Sequence, residues 1–444
     1  MGLFELFWLT KIEQMKSREK VSVITLGCAK NTVDSERLLR QLQLNNLDLR
    51  SNPLEADTVI INTCGFIEAA KEESINTIMT AISSKKSGIT KRIFVAGCLS
   101  QRYKDDLKQG IPEVDLFFGT EDYERIVKEL GGELKKNLLG ERVVSVPSHT
   151  AYLKISEGCD HPCSFCAIPI MRGLHKSKSI ENLVAETEYL IRNNTKELVL
   201  IAQDTTDYGK DLYNKRNISE LVARLSQVKG IEWIRMMYAY PSRFPEDLID
   251  EIKNNDKVCK YIDIPLQHIS DNILKSMRRG ITSRQTKELL SQLRKEIPEL
   301  VLRTTFIVGY PGETEKDFQE LYDFVEEFKF EKMGTFTYSQ EENTGSYNLG
   351  DPVPDEVKRA RQSRLMEIQR EISAERNRKL IGGELKILVE SLEGDFYVGR
   401  SYRDAPEVDG EVLIPSNGNR IVPGNFYIAE VYDSDEYDLF ARLK

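Results

Sequence analysis

Residues 158–173 read Gly158-Cys-Asp-His-Pro-Cys-Ser-Phe-Cys-Ala-Ile-Pro-Ile-Met-Arg-Gly173, a short stretch with three cysteines. Cys159, Cys163 and Cys166 follow a C-x3-C-x2-C spacing, which can hold a cubane 4Fe–4S cluster from a single loop. Such a cluster normally takes a fourth cysteine, so one iron would be left open and reactive. A structural zinc site is the alternative, but zinc needs four protein ligands, and His161 is the candidate for the fourth.

Composition restricts the class of protein. The 444 residues carry a net charge of −9 and are 40% hydrophobic, enough for buried cores in about three domains. An acidic chain does not indicate a general nucleic-acid binder, because phosphates require a basic surface. The seven cysteines, arranged as three, three and one, fit metal chemistry in a reducing compartment better than a disulfide framework.

The sequence predicts a cytoplasmic protein that does not enter a membrane. No apolar run approaches the roughly 18 residues that a membrane span needs. Met1–Leu9 is apolar but lacks the basic start and the cleavage site of a signal peptide. Because the first strand pattern begins only near Val21, Met15 is an alternative start.

Three further cysteines, Cys28, Cys64 and Cys98, each follow an apolar, β-rich run. Helical patterns lie between these runs, so we predict a parallel α/β sheet. The carboxyl ends of parallel strands open on one edge, where these cysteines would converge. Such a set again leaves one iron of a cubane cluster without a protein ligand. For any one of them alone, a common buried cysteine is the alternative.

The central part of the chain alternates strand and helix patterns. The strand patterns cover 150–157, 197–204, 231–238, 261–268, 300–309 and 332–338. Six β/α units are fewer than the eight of a closed barrel, so we predict a partial (β/α)6 barrel with a gap for a large substrate. Polar residues at carboxyl strand ends are candidates for chemistry. They are Gln203, Asp204, Tyr240, Gln267, His268, Arg303 and the turn from Gly309 to Glu313. A capping, turn or core role is the alternative for each.

The last part of the chain has a different pattern. A long charged helix is predicted from Asp355 to Lys379, followed by five short alternating runs that predict a small antiparallel β-barrel. Residues 375–444 contain nine basic and fourteen acidic side chains, a net charge of −5. The acidic residues include the cluster Asp433, Asp435, Glu436 and Asp438. Binding phosphates requires the opposite sign, so a basic protein partner is favoured. A solvated acidic face is the alternative.

The loop at 158–173 resembles the cluster loop of the radical S-adenosylmethionine superfamily, and a three-cysteine domain before such a loop is similar to the methylthiotransferases. The resemblance covers about 21–444, and the small barrel resembles the TRAM domain, an OB-like module. It implies a cluster-binding domain at 20–138, a radical S-adenosylmethionine core at 145–374 and a TRAM domain at 377–444.

The resemblance also implies cofactors and their residues. One 4Fe–4S cluster is expected on Cys159, Cys163 and Cys166, with S-adenosylmethionine at its open iron, and a second on Cys28, Cys64 and Cys98. The resemblance implies that Arg303 and the Gly309 turn belong to the S-adenosylmethionine pocket, where a cation can meet a carboxylate. The expected cofactor-binding residues are Gln203, Tyr240, Gln267, Arg303 and Gly309. Cys259, which has no partner in either triplet, is expected to be structural.

The segments Tyr152–Cys159 and Ala202–Asp204 look like the branch that modifies ribosomal protein uS12. The implied reaction begins when an electron cleaves S-adenosylmethionine to methionine and a 5'-deoxyadenosyl radical. The radical takes a hydrogen from the β-carbon of an aspartate, which receives sulfur methylated by a second S-adenosylmethionine. Expected partners are uS12 and a low-potential electron donor such as flavodoxin or ferredoxin. The enzyme itself is expected to be a monomer. A tRNA methylthiotransferase and a non-enzymatic zinc and RNA-binding module are the alternatives.

Overall fold

The computed structural model describes residues 18–144, 147–416, 418 and 420–444. The chain forms two compact units, 1–143 and 144–444. Met1–Leu9 and the alternative start at Met15 lie outside the described residues. Within the described part, each helix is too short or too polar to cross a membrane.

The first unit is a five-stranded parallel sheet with helices between the strands. Its elements are β1 Lys20–Thr25, α1 Ala29–Leu44, β2 Asp48–Leu49, β3 Thr58–Thr63, α2 Glu68–Lys86, β4 Arg92–Gly97, α3 Cys98–Arg102, α4 Lys104–Gly110, β5 Leu116–Phe117 and α5 Tyr123–Glu129. The strand order is β2-β1-β3-β4-β5, and every neighbouring pair is parallel. The predicted parallel α/β sheet is therefore confirmed.

Strand β3 is buried on both faces. Ile60 packs in one hydrophobic cluster with Leu38 of α1, whereas Val59 and Ile61 pack in another with Ile78 of α2. Because side chains alternate along a strand, a continuous apolar run can serve two helical layers at once. This packing fixes the register of β3 and hence the position of the cysteine that follows it.

The second unit begins with a six-stranded parallel sheet. Its elements are β6 Thr150–Lys154, β7 Ser156–Glu157, α6 Ile168–Arg172, β8 Lys176–Ser177, α7 Ile180–Arg192, β9 Glu197–Ile201, α8 Lys210–Tyr213, α9 Ile218–Ser226, β10 Trp233–Met236, α10 Glu246–Asn254, β11 Val258–Asp263, α11 Asp271–Ser276, α12 Ser283–Glu296, β12 Val301–Val308, α13 Glu315–Phe328, β13 Lys332–Thr337 and α14 Asp355–Arg378. The sheet order runs from β6 through β9, β10, β11 and β12 to β13. The predicted partial (β/α)6 barrel is confirmed.

Local sequence determines where two barrel helices begin. Thr282 and Gln285 form a reciprocal capping box at the start of α12, and Thr314 and Asp317 form another at the start of α13. In each box a side chain satisfies a backbone N–H group that has no partner inside the helix. The loops before these helices, which carry candidate site residues, therefore end at defined positions.

The chain ends in a closed five-stranded barrel. Its strands are β14 Glu384–Glu393, β15 Phe396–Ser401, β16 Val412–Pro415, β17 Asn425–Ser434 and β18 Leu439–Leu443. Four strand pairs are antiparallel, and the pair β16–β18 that closes the barrel is parallel. A closed ring with an odd number of strands cannot alternate direction throughout, so one parallel pair is required.

Buried ion pairs join this small barrel to the central sheet. Glu197 at the start of β9 accepts hydrogen bonds from Arg400 of β15 at 2.6 Å and from Arg235 of β10 at 2.9 Å. Arg235 also donates to the backbone oxygen of Tyr402 at 2.7 Å. All three charged side chains are buried. Removing any one would leave an uncompensated charge in the interior, so the network resists separation of the two barrels.

The connection between β15 and β16 extends these contacts. Asp409 accepts a hydrogen bond from the Tyr261 hydroxyl at 2.7 Å and lies 3.5 Å from Arg303. Asp404 pairs with Lys332 at 2.7 Å. Arg303 is the third residue of β12, and Lys332 is the first residue of β13. The small barrel therefore contacts the amino ends of these strands, opposite the carboxyl ends expected to carry the chemistry.

Candidate active site and cluster centres

The cluster loop, residues 158–173, is closed at its base by the antiparallel pair β7–β8. The backbone N–H of Cys159 donates to the oxygen of Gly173 at 3.1 Å. Gly158 has a φ of +70°, and a Cβ atom there would lie 2.1 Å from the oxygen of Leu174. Glycine is required at Gly158 for both its backbone angle and this close approach.

The three sulfur atoms of the loop are half-buried. The backbone N–H of His161 donates to Cys159 Sγ at 3.5 Å, and Arg279 Nη1 donates to Cys163 Sγ at 3.4 Å. Burial raises the pKa of the Cys159 and Cys166 thiols to about 12. Thiols that bind a metal must lose their protons, and N–H groups directed at the sulfurs suit the resulting thiolates.

The His161 side chain is held by residues that follow strands β9 and β10. Its Nε2 lies 2.6 Å from Asp204 Oδ2, and its ring stacks on Tyr240 with centroids 3.7 Å apart. Asp204 is buried and also accepts the N–H of Thr206 at 2.7 Å. His161, the candidate for a fourth zinc ligand, thus has its Nε2 engaged by a carboxylate. This contact orients the loop.

Ser164 anchors the middle of the cluster loop to three other segments. Its Oγ donates to the oxygen of Ser276 at 2.8 Å and lies 2.9 Å from the Tyr310 hydroxyl. Its N–H donates to Met277 at 3.0 Å, and its oxygen accepts from the N–H of Ser346 at 2.7 Å. The loop conformation therefore depends on residues far away in the sequence.

The turn after β12 is built around Glu313. Its carboxylate accepts the N–H groups of Gly309 at 2.8 Å and Tyr310 at 3.3 Å, and it pairs with Arg361 at 2.7 Å. Burial raises the pKa of Glu313 to about 7, and Arg361 opposes this effect. Gly309 has a φ of +76°, and a Cβ there would lie 2.3 Å from Lys358 Cγ, so only glycine suits this turn.

Polar groups without hydrogen-bond partners lie after β11, where His268 Nε2 is 3.7 Å from Glu313 Oε2. Within the described residues, Gln267 Oε1 and His268 Nε2 are buried and form no hydrogen bond. His268 Nδ1 accepts the N–H of Ser270 at 3.0 Å, and burial lowers the pKa of His268 to about 3. The neutral ring therefore keeps its proton on Nε2. Buried polar groups normally have partners, so these atoms fit a site for a polar ligand.

Two other predicted cofactor-binding residues, Gln203 and Arg303, lie on different strands of the central sheet or directly after them. Gln203 is half-buried just after β9. Arg303 lies 3.0 Å from Asp263 and 3.5 Å from Asp409. Burial alone would lower the pKa of Arg303, but these carboxylates and Tyr261 raise it. Arg303 is the third residue of β12, so it lies near the amino end of that strand, and its expected place at the carboxyl end is wrong. Binding of the S-adenosylmethionine carboxylate by Arg303 stays a prediction, and it would require Arg303 to exchange one of these partners.

The three cysteines of the first unit lie at the carboxyl edge of its sheet, after β1, β3 and β4. Cys64 and Cys98 are buried, and Cys28 is exposed. A Cβ atom at Gly27 would lie 3.0 Å from Cys64 Sγ, so the turn that carries Cys28 lies against Cys64. Cys98 Sγ is 3.8 Å from Asn31 Oδ1 in α1. The structure thus brings the predicted triplet to one edge.

Known protein families match all three parts of the chain. Residues 20–119 match "Uncharacterized protein family UPF0004", residues 153–325 match the "Radical SAM superfamily" and residues 381–443 match the "TRAM domain". A solved structure of the radical S-adenosylmethionine methyltransferase TsrM from Kitasatospora setae has a similar fold. Its TM-score is 0.55, at 13% identity over 72% of this chain and 73% of that one.

Curated relatives match over nearly the full length. "Ribosomal protein uS12 methylthiotransferase RimO" of Christiangramia forsetii is 51% identical over 96% of this chain and 94% of its own. The protein of the same name from Cytophaga hutchinsonii is 50% identical, over 96% of this chain and 98% of its own. The chain belongs to the uS12 methylthiotransferase family. It is a radical S-adenosylmethionine methylthiotransferase.

Family membership implies a 4Fe–4S cluster and S-adenosylmethionine, and the residues of the cluster loop fit both. Three half-buried cysteines, two of which accept an N–H donor at sulfur, suit the cluster. The unpartnered Gln267 Oε1 and His268 Nε2 suit a polar cosubstrate. Cys259 is different, since it is buried within β11 and burial raises its pKa to about 12. A structural role for this thiol stays a prediction.

Two residues of this site, Ser164 and Arg279, have no signal in the sequence that marks them as functional. Ser164 lies between two cluster cysteines, and Arg279 follows a helix. Tyr310 belongs to the predicted turn from Gly309 to Glu313, but its contact with Ser164 is visible only in the structure. A buried arginine could have been suspected only if the helix ending at Ser276 had been known to pack against the cluster loop.

Proposed function

We propose that this chain adds a methylthio group to the β-carbon of an aspartate in ribosomal protein uS12. The observation that carries the proposal is its identity of about one half, over 96% of its length, with proteins named uS12 methylthiotransferase. The acidic charge of the TRAM domain also supports a basic protein substrate.

We also propose two clusters, one on each cysteine triplet. Cys159, Cys163 and Cys166 are the ligands in the second unit, and Cys28, Cys64 and Cys98 are the ligands in the first. A cluster held by the loop of the second unit would supply the electron that cleaves S-adenosylmethionine. The convergence of the first triplet at one sheet edge supports its use as a second metal centre.

The role of the chain's own residues is to hold this chemistry in place. Ser164 fixes the cluster loop to the end of α11 and to Tyr310. Glu313 holds the backbone of the turn after β12. Gln267 and His268 supply polar groups that lack partners. We propose that S-adenosylmethionine lies among these groups.

The acidic residues of the TRAM domain differ in their contacts, and this bears on the proposed substrate-binding surface. Asp433 and Glu436 are exposed, and Asp433 Oδ1 accepts one backbone N–H, that of Ser434 at 2.8 Å. Asp435 Oδ1 instead accepts the N–H groups of Tyr437 at 2.8 Å and Asp438 at 2.7 Å. Asp435 therefore builds the turn between β17 and β18. We propose that Asp433 and Glu436 contribute most to the recognition of uS12.

Mass spectrometry of uS12 and tRNA from cells with and without the gene tests this function. We expect one methylthio group on an aspartate of uS12 only when the gene is present, and tRNA modification that does not depend on it. A plasmid encoding the variant with Cys159, Cys163 and Cys166 changed to alanine should not restore the modification. Loss of a tRNA methylthio group with unaltered uS12 would favour the tRNA alternative.

Two further proposals concern the working enzyme. A low-potential donor such as flavodoxin or ferredoxin is expected to supply the electron, and the enzyme is expected to act as a cytoplasmic monomer. Anaerobic turnover with each purified donor would check the first. Light scattering of the cluster-loaded protein would check the second.

A further inference from the structure

Arg279 is a buried arginine beside the cluster loop. It follows α11 and is 5% exposed. Its Nη1 donates to Cys163 Sγ at 3.4 Å, and its Nη2 donates to the oxygen of Pro265 at 2.6 Å. These two bonds fix the planar guanidinium in one orientation. The neighbouring Arg278 is exposed.

Tyr240 supports this position through its ring and its hydroxyl. The Arg279 guanidinium lies 4.3 Å from the centre of the Tyr240 ring, which also stacks on His161 at 3.7 Å. The Tyr240 hydroxyl donates to the backbone oxygen of Arg279 at 2.6 Å. The cation is therefore clamped between an aromatic ring and a cluster cysteine.

The charge of Arg279 is not balanced by a carboxylate. Among the described residues it has no ion pair, and its buried Nε has no hydrogen-bond partner. A buried charge without an opposite charge is costly. The nearby group that can become negative is the Cys163 sulfur, in the thiolate form that binds iron. Arg279 is thus placed to neutralise a loaded cluster.

We propose that Arg279 sets the reduction potential of the cluster held by Cys159, Cys163 and Cys166. Reduction adds a negative charge, so a fixed cation and an N–H donor at one sulfur stabilise the reduced form and raise the potential. Arg279 is a positioning residue, because it acts through Cys163. This inference rests on the proposed cluster at these cysteines.

The test is a redox titration of the reconstituted full-length protein, followed by electron paramagnetic resonance. Cys28, Cys64 and Cys98 are changed to alanine throughout, so that the signal comes from one cluster. We expect R279Q to have a more negative midpoint potential than this parent protein. R278Q, which removes the same charge from the adjacent exposed position, should keep the parent potential.

Iron and sulfide analysis of each protein separates the possible failures. Absence of a cluster from the parent protein would refute the proposed function itself. A fully loaded R279Q with the parent potential would overturn only the role of Arg279. If R279Q binds no iron, R279M decides, because methionine removes the charge and the N–H donor without burying an unpaired polar group. A more negative potential in R279M supports the proposal, and the parent potential overturns it.

Discussion

Gly97 is the last residue of β4 and directly precedes Cys98. Its φ is +94° and its ψ is −161°, a region that is essentially restricted to glycine. A Cβ atom would lie 2.6 Å from the oxygen of Thr63 and 2.8 Å from its nitrogen. Because both contacts are with the backbone of β3, they can be relieved only by moving that strand.

We expect Gly97→Ala to destabilise the first unit by about 3 kcal/mol or more, the sum of backbone strain and overlap. Gly88→Ala is the matched control, since Gly88 has a φ of +77° but a Cβ there meets no atom within 4 Å. Backbone strain alone should destabilise the Gly88→Ala variant by about 1–2 kcal/mol. Hydrogen exchange of peptides covering β3 and β4 measures both effects. Equal exchange in the two variants would contradict the overlap argument.

At the scale of elements, the sequence predicted most of the fold because the signals are local. Strands β3 and β4 of the first unit are largely apolar runs of six residues, and Cys64 and Cys98 directly follow them. The contacts that shape the cluster loop are not local. Ser164 meets Tyr310 across 146 positions, and Arg279 meets Cys163 across 116. No periodic pattern encodes such pairings, so only the folded chain reveals them.

The two cysteine sets lie on separate elements, which makes them separable. Changing Cys159, Cys163 and Cys166 to alanine should leave about half of the iron, because a 4Fe–4S cluster needs its own cysteine ligands. Changing the other three should leave S-adenosylmethionine cleavage intact but abolish the methylthio product. Iron analysis and product chromatography check both. Complete loss of iron in the first variant would contradict two independent clusters.

At the scale of the whole molecule, Glu197 tests how firmly the TRAM domain is attached. Burial alone would raise its pKa, but Arg400 and Arg235 hold the pKa at about 2, below the ordinary 4.5. Glu197→Gln leaves two buried cations without this partner and should cost about 3–5 kcal/mol of unfolding free energy. The exposed pair Lys386–Glu232 provides the control, and Glu232→Gln should cost at most about 1 kcal/mol.

The pH dependence follows from the lowered pKa of Glu197. Its carboxylate stabilises the fold above the unfolded pKa, and this stabilisation is lost as pH falls toward the folded pKa. The difference in unfolding free energy between the parent protein and Glu197→Gln should therefore be constant above about pH 5 and shrink at lower pH. Urea unfolding at several pH values measures it. A difference that grows on acidification would show that another group dominates.

The proposed recognition of uS12 by the acidic TRAM surface can be tested at two residues without disturbing the fold. Asp433→Lys with Glu436→Lys spares Asp435 and Asp438, which hold the turn and the N–H of Glu411. Each exposed pair contributes about 0.2–1 kcal/mol, and reversal adds repulsion. Docking should weaken roughly 5-fold to 100-fold, seen as a higher KM for uS12.

The control for this charge reversal is Glu246→Lys with Asp250→Lys on α10, two exposed positions. It makes the same change in net charge away from the TRAM domain and should leave the KM for uS12 unaltered. Cleavage of S-adenosylmethionine without uS12 should be normal in both variants, because neither touches the cluster loop. Raised salt should narrow the difference in KM between the two variants, since exposed charges are screened over about 10 Å at 0.1 M. Equal KM values at low salt would mean that the acidic surface does not select the substrate.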